Sequence, residues 1–141
     1  MSQAHTIAKI LLDVQAVTIR TDPPFVYSSG LQSPIYCDNR VLIAYPEARW
    51  QVVEAFSRQV AAEAEVIVGT ATAGIPHAAW LAHALNLPMA YVRSKAKQHG
   101  QGNQIEGRVK SGQRVVLIED LISTGGSALT AVTALRQAGA A

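Results

Sequence analysis

Three short runs of this chain are apolar almost without interruption, and nothing else in it restricts the possible folds so strongly. They are Val66-Ile67-Val68-Gly69, Leu87-Pro88-Met89-Ala90-Tyr91-Val92, and Val115-Val116-Leu117-Ile118 within Arg114–Glu119. A strand that is wet on one face alternates apolar with polar residues. These runs do not alternate, so both faces must be buried. Helical patterns separate them, one from about Ile75 to Leu85 and another from Ser127 to about Gln137. Strand and helix in alternation predict an α/β fold, a parallel sheet flanked by helices.

The remaining segments are less regular. Ile7 to Val14 places apolar residues at helical spacing. Asp22-Pro23-Pro24 breaks regular structure, and Phe25–Asp38 reads as two short strands around a Ser/Gly turn. Pro46 suits a helix start, and the pattern predicts a long helix from there through Glu65 with Trp50, Val53, Phe56 and Val60 on its apolar stripe. Neither a repeat nor a linker interrupts the chain. One domain over 1–141 is expected, with an N-terminal part at 1–45 and a parallel α/β core at 46–141. The sequence ends at Gly139-Ala140-Ala141, where such a helix should lead into another strand. Three central strands make a thin sheet, so C-terminal strands are expected to be missing.

Composition excludes several classes of function. With 141 residues, 49% hydrophobic and 16% charged, the chain can bury a real core. A net charge of +2 is too small to argue for nucleic acid as a partner. No apolar run approaches the ~20 residues needed to cross a bilayer, and Met1–Arg20 lacks the pattern of a secretory leader. The single cysteine, Cys37, rules out an intrachain disulfide and is expected as a buried, inert thiol. A soluble, cytoplasmic protein with neither membrane nor nucleic acid as partner is expected.

The chemistry concentrates after the third run, in Glu119-Asp120-Leu121-Ile122-Ser123-Thr124-Gly125-Gly126-Ser127. Ligands of open parallel sheets bind beyond the carboxyl ends of the strands, where this segment lies. Gly125 and Gly126 allow a tight turn and close approach of backbone to ligand. The helix that follows offers free N–H groups and the positive end of its dipole. Ser123, Thr124 and Ser127 add hydroxyl donors, completing a phosphate cup. Carboxylates repel phosphate, so Glu119 and Asp120 need another partner: ribose hydroxyls, a bound Mg²⁺, or a sugar carbon that becomes cationic. Both halves on one ligand imply a phosphorylated sugar. A second concentration of charge lies between Arg93 and Lys110, where Arg93, Lys95, Lys97, Arg108 and Lys110 face one acid, Glu106. By itself such a cluster fits a solvated loop equally well. The chain lacks the Gly-x-x-x-x-Gly-Lys-Ser/Thr of nucleotide-binding loops and the Gly-x-Gly-x-x-Gly of dinucleotide sites. Its histidines, His5, His77, His83 and His99, have no zinc-like partners.

Val-Val-Leu-Ile-Glu-Asp-Leu-Ile-Ser-Thr-Gly-Gly-Ser resembles the phosphoribosyl pyrophosphate signature of type I phosphoribosyltransferases. Three further segments narrow the resemblance to orotate phosphoribosyltransferase: Phe25–Asp38, Gly69-Thr70-Ala71-Thr72-Ala73-Gly74-Ile75-Pro76, and Tyr91–Gly107. Together they cover the chain from about Phe25 to its end. The resemblance implies transfer of a phosphoribosyl group to N1 of orotate, giving orotidine 5′-monophosphate and pyrophosphate with Mg²⁺ as cofactor, in pyrimidine synthesis. It further implies a homodimer in which Arg93–Gly107, like the family's mobile catalytic loop, closes over the active site of the partner subunit. Arg93, Lys97 and His99 would then contact pyrophosphate, with Lys97, His99 and Asp120 the catalytic residues. Gly100, Gly102 and Gly107 would let the loop move.

The same resemblance assigns residues 119–127 to phosphoribosyl pyrophosphate and Ser123 to orotate as well. It gives backbone N–H groups of Thr70–Gly74 to pyrophosphate and makes Phe25–Asp38 a hood over the base, where Ser33-Pro34-Ile35-Tyr36 would pack. No side chain is assigned as a metal ligand. Two positions depart from the family pattern: Ser94 and Ser28 stand where relatives carry lysine, and neither is given a binding role. A purine phosphoribosyltransferase and a non-catalytic binding module or inactive fragment are the competing readings.

Overall fold

A computed structural model of the chain describes residues 2–27, 30–60, 62–95 and 104–141. Two compact units divide it, Met1–Ala55 and Phe56–Ala141.

The first unit opens with helix α1 (Gln3–Asp13), which begins four residues before the apolar pattern does because Ser2 caps it, its Oγ accepting from the His5 N–H at 3.4 Å. Strand β1 (Val17–Ile19) carries no sequence signal. It pairs antiparallel with β4 (Ile35–Cys37), while β2 (Phe25–Val26) and β3 (Gln32–Ser33) form a hairpin of their own. The Phe25–Asp38 stretch therefore holds three strands in two ladders, not two strands. Side chains join the pieces: the Tyr27 hydroxyl donates to the Ile35 carbonyl at 2.5 Å, and the Arg20 guanidinium lies 4.3 Å from the centre of the Phe25 ring. A 3₁₀ helix at Asn39–Ala44 starts from Asp38. The Arg40 guanidinium hydrogen-bonds that carboxylate and holds it below the usual carboxylate range.

Helix α2 (Pro46–Ser57) begins at the expected proline but stops eight residues short of Glu65. A tight turn ends it, the N–H groups of Gln59 and Val60 both reaching the Phe56 carbonyl. Its buried face is Ala48, Val52, Val53 and Ala55, so the expected stripe is displaced and Trp50 is 47% exposed.

The second unit is built on a four-stranded sheet. Strand β5 (Val66–Thr70) is wholly buried and lies between β6 (Met89–Val92) and β8 (Val115–Ile118), parallel to both. The two-residue β7 (Ile105–Glu106) adds an antiparallel edge beside β6. The sheet is thus mixed, because the basic segment returns along β6 before the chain moves on. Helices α3 (Gly74–Leu85) and α4 (Gly126–Gln137) follow β5 and β8 as expected. Side chains alternate across β5: Val66 and Val68 join a core with Ala131, Ala134 and Leu135 of α4, and Gly69 faces α3.

Two glycines set how closely α3 lies on the sheet. A Cβ on Gly69 would stand 2.9 Å from the Gly74 carbonyl oxygen, and one on Gly74 would stand 2.6 Å from the carbonyl oxygen of Ile118. Backbone atoms cannot move aside cheaply, so only glycine fits. His77, on the next turn of α3, is buried, stacks edge-on against Trp80 at 5.5 Å, and has an Nε2 with no hydrogen-bond partner. Burial pushes its imidazole below the usual histidine value, against the opposing pull of the Asp120 carboxylate.

Gly74→Ala is expected to lower stability by about 1–3 kcal/mol through overpacking, measurable by denaturant unfolding; a midpoint equal to wild type would disprove the close contact. Because the native His77 value is depressed, its contribution to stability is whole above the unfolded value of about 6.5 and is lost as pH falls through the native one. His77→Leu should therefore flatten the decline in unfolding midpoint between neutral and mildly acidic pH. An undiminished slope would show that another group carries it.

Candidate active site

The carboxyl ends of β5, β6 and β8 position the candidate residues. Strand β8 ends at Ile118, and Glu119 and Asp120 follow at once, half-buried. Leu121, Ile122, Ser123 and Thr124 are exposed. Gly125 then turns into the left-handed region at φ 81°, a conformation that costs glycine little. Helix α4 starts with Gly126, and its cap residue Gly125 offers no side chain to the first turn. Those N–H groups, with the positive end of the dipole, suit an anion. The Ser127 hydroxyl donates to Glu119 Oε1 at 2.6 Å, which ties the start of α4 to the acidic strand end and orients that carboxylate.

A second helix start lies close by. Thr70 closes β5, and Ala71, Thr72 and Ala73 lead directly into α3, whose cap Ala73 likewise makes no side-chain bond to the first turn. The Ala71 N–H is engaged by the Val92 carbonyl at 2.8 Å, and the Ala71–Thr72 peptide is cis. A Cβ on Gly74 would be 3.6 Å from Glu119 Cα, so α3 begins beside the acidic pair. The two uncapped helix starts flank Glu119, one through Ser127 and the other through Gly74.

Arg93 follows β6. Its N–H donates to the Gln104 carbonyl at 2.9 Å, and Gln104 Nε2 donates back to the Arg93 carbonyl at 2.8 Å. Its guanidinium stands 3.5 Å from a Glu106 carboxylate oxygen on β7. Lys97, His99, Gly100 and Gly102 lie outside the described residues, as does Ser28. Gly107 was expected to serve loop movement, but packing also demands it: at φ 92°, a Cβ there would sit 3.1 Å from Ala90 Cα.

Between the loops opens a pocket of about 130 Å³, with Thr70, Ala71, Arg93, Ser94, Ser127 and Thr130 among its walls. Sequence reading missed two side-chain contributors here. Thr130 lies four residues after Gly126 and donates to its carbonyl at 2.9 Å, a spacing that could have placed it on this face. The Thr70 hydroxyl left no such signal, since its setting depends on which helix covers which side of the sheet. The assembled groups can bind phosphate oxygens at two helix starts, present carboxylates to sugar hydroxyls or a cation, and set a guanidinium nearby.

A model of the phosphoribosyl transferase domain matches residues 33–141. The orotate phosphoribosyltransferase of Coxiella burnetii is 56% identical over 99% of this chain and 68% of its own length. That of Enterococcus faecalis is also 56% identical, over 97% of this chain and 67% of its own length. This chain thus spans about two thirds of those relatives. Among solved structures, orotate phosphoribosyltransferase from Aeropyrum pernix superposes with a TM-score of 0.79 at 36% identity, covering 95% of this chain and 75% of that one. With a domain match over most of its length and relatives more than half identical, the chain belongs to the orotate phosphoribosyltransferase family of the phosphoribosyl transferases.

Proposed function

We propose that this chain transfers the phosphoribosyl group of phosphoribosyl pyrophosphate to orotate, forming orotidine 5′-monophosphate and pyrophosphate in pyrimidine synthesis. The observation that carries the reading is the Glu119–Ser127 segment, where an acidic pair and an uncapped helix start are joined by the Ser127–Glu119 hydrogen bond. An isolated phosphate cup would not need the acids, and a phosphorylated sugar uses both.

The 5′-phosphate is held by the N–H groups at the start of α4, that of Ser127 among them, with the hydroxyls of Ser123 and Thr124. Glu119 and Asp120 lie under the ribose, where they bind its hydroxyls and stabilise positive charge growing on the anomeric carbon. The bond from that carbon to the pyrophosphate oxygen breaks early, its electron pair leaving with pyrophosphate, and orotate N1 forms the new bond as its N–H proton is released to solvent. Arg93, Lys97 and His99 stabilise charge on the departing group, most effectively once the loop excludes water. Ser123 also contacts orotate. No protein nucleophile is needed.

Mg²⁺ is part of the proposal. Among the described residues no group of three or more His, Cys, Asp or Glu could hold a metal. An ion carried on a diphosphate needs only one or two protein carboxylates, and Glu119 and Asp120 can supply them. Bound there, it would neutralise diphosphate charge. A homodimer sharing the catalytic loop completes the reading, and exposed Ile19, Val26, Trp50 and Leu129 are compatible with burial against another subunit. The reaction is placed in the cytoplasm. Among the described residues no helix is long and apolar enough to cross a membrane, and one cysteine permits no intrachain disulfide.

Steady-state assays with orotate, adenine and hypoxanthine should give turnover with orotate, and Asp120→Asn should lower kcat by about 10²–10³-fold. Turnover of a purine alone, or binding of phosphoribosyl pyrophosphate without turnover, would overturn the reading. Loop sharing makes a separate demand. Mixing inactive Lys97→Ala with inactive Asp120→Asn should restore about a quarter of wild-type activity, since half the dimers then hold one intact site. No recovery on subunit exchange would place each loop over its own site.

A further inference from the structure

Thr70 is 5% exposed, and its Oγ1 is buried without a hydrogen-bond partner. Leaving a hydroxyl in that state costs free energy, while replacing it by an apolar group of the same shape costs little. A valine would fit the end of a buried β-branched strand at least as well, so the hydroxyl has no evident structural use. Its position suggests another. Thr70 has the same parity on β5 as Val66 and Val68, whose side chains join the core beneath α4. It therefore faces the start of α4 and forms part of the wall of the 130 Å³ pocket.

The other hydroxyls donated by α4 to this wall are already engaged. Ser127 donates to Glu119 at 2.6 Å, and Thr130 donates to the Gly126 carbonyl at 2.9 Å. Thr70 is thus a donor without an acceptor in a pocket that also includes Arg93. A group bearing anionic oxygens would supply the acceptor, and one χ1 step between staggered wells is enough to re-aim a threonine hydroxyl.

We propose that the Thr70 side chain is a further binding residue of this site, its Oγ1 donating to a phosphate-group oxygen of the pyrophosphate moiety as that group enters between β5, Arg93 and α4. This rests on the proposed transferase reading and adds to it a side-chain contact, distinct from the backbone N–H groups of the turn that follows.

The test measures pyrophosphate affinity by calorimetry and, separately, KM for phosphoribosyl pyrophosphate, in wild type, Thr70→Val and Thr70→Ser. Thr70→Val should weaken pyrophosphate binding and raise KM by about tenfold, with an unfolding midpoint equal to or above that of wild type. Thr70→Ser, which keeps the hydroxyl, should remain close to wild type in affinity. Should the valine variant not fold, Thr70→Ala removes the same hydroxyl and must show the same loss. Wild-type pyrophosphate affinity in a folded variant without the hydroxyl overturns the proposal. If orotate turnover is present and unaffected by Thr70→Val, this inference fails while the transferase reading stands. If orotate is not turned over but pyrophosphate binding still depends on the hydroxyl, the subsite stands and the transferase reading fails.

Discussion

A Cβ on Gly74 would stand 2.6 Å from the carbonyl oxygen of Ile118, and the rest of the site depends on that absence of a side chain. It lets the first turn of α3 lie directly against the end of β8, where the acidic pair begins. Gly69 repeats the condition one layer below, where a Cβ would meet the Gly74 carbonyl and Ala78. Helix α3 is consequently seated on β5 and β8 at backbone distance. A helix start that would otherwise lie a side chain's width away is brought beside Glu119.

Burial of β5 on both faces makes the arrangement rigid enough to be useful. Val66, Ile67 and Val68 are fully buried, so the strand has one register and the side-chain alternation cannot slip. That alternation sends odd positions to α3 and even ones to α4, which gives the two sides of the sheet different chemistry at its carboxyl end. On the α3 side the glycines admit backbone. On the α4 side Thr70 brings a hydroxyl toward Ser127 and Thr130. The Ser127–Glu119 hydrogen bond then links the second helix start to the same strand end. The N–H groups of the two helix starts and the carboxylates at the end of β8 are held at fixed separation by packing, not by the loop alone.

The parallel strands and their helices were legible because both periodicities were clean. Val66–Thr70, Gly74–Leu85 and Gly126–Gln137 fall within a residue or so of expectation. The Pro46 helix was read too long because its later residues remain helix-compatible, and a turn at Phe56–Val60 ended it. Strands β1 and β7 were missed since two or three residues carry no period and exist only by pairing with Cys37 to Ile35 and with Tyr91 and Val92. The Glu119–Ser127 loop was readable because acids, hydroxyls and glycines sit consecutively. Thr70 and His77 were not, because their neighbours come from other elements, whereas Thr130 left a trace in its spacing from Gly126.

By itself the sequence determined the parallel core and the order of its elements. It also determined the chemical content of the Glu119–Ser127 loop, since these follow from local periodicity and from the identity of adjacent residues. Tertiary structure alone decided that α3 begins beside Glu119, that Ser127 orients its carboxylate, and that Thr70 and His77 are buried with unpartnered polar atoms. Those outcomes depend on which helix covers which face of β5, and no local stretch of sequence encodes that distance.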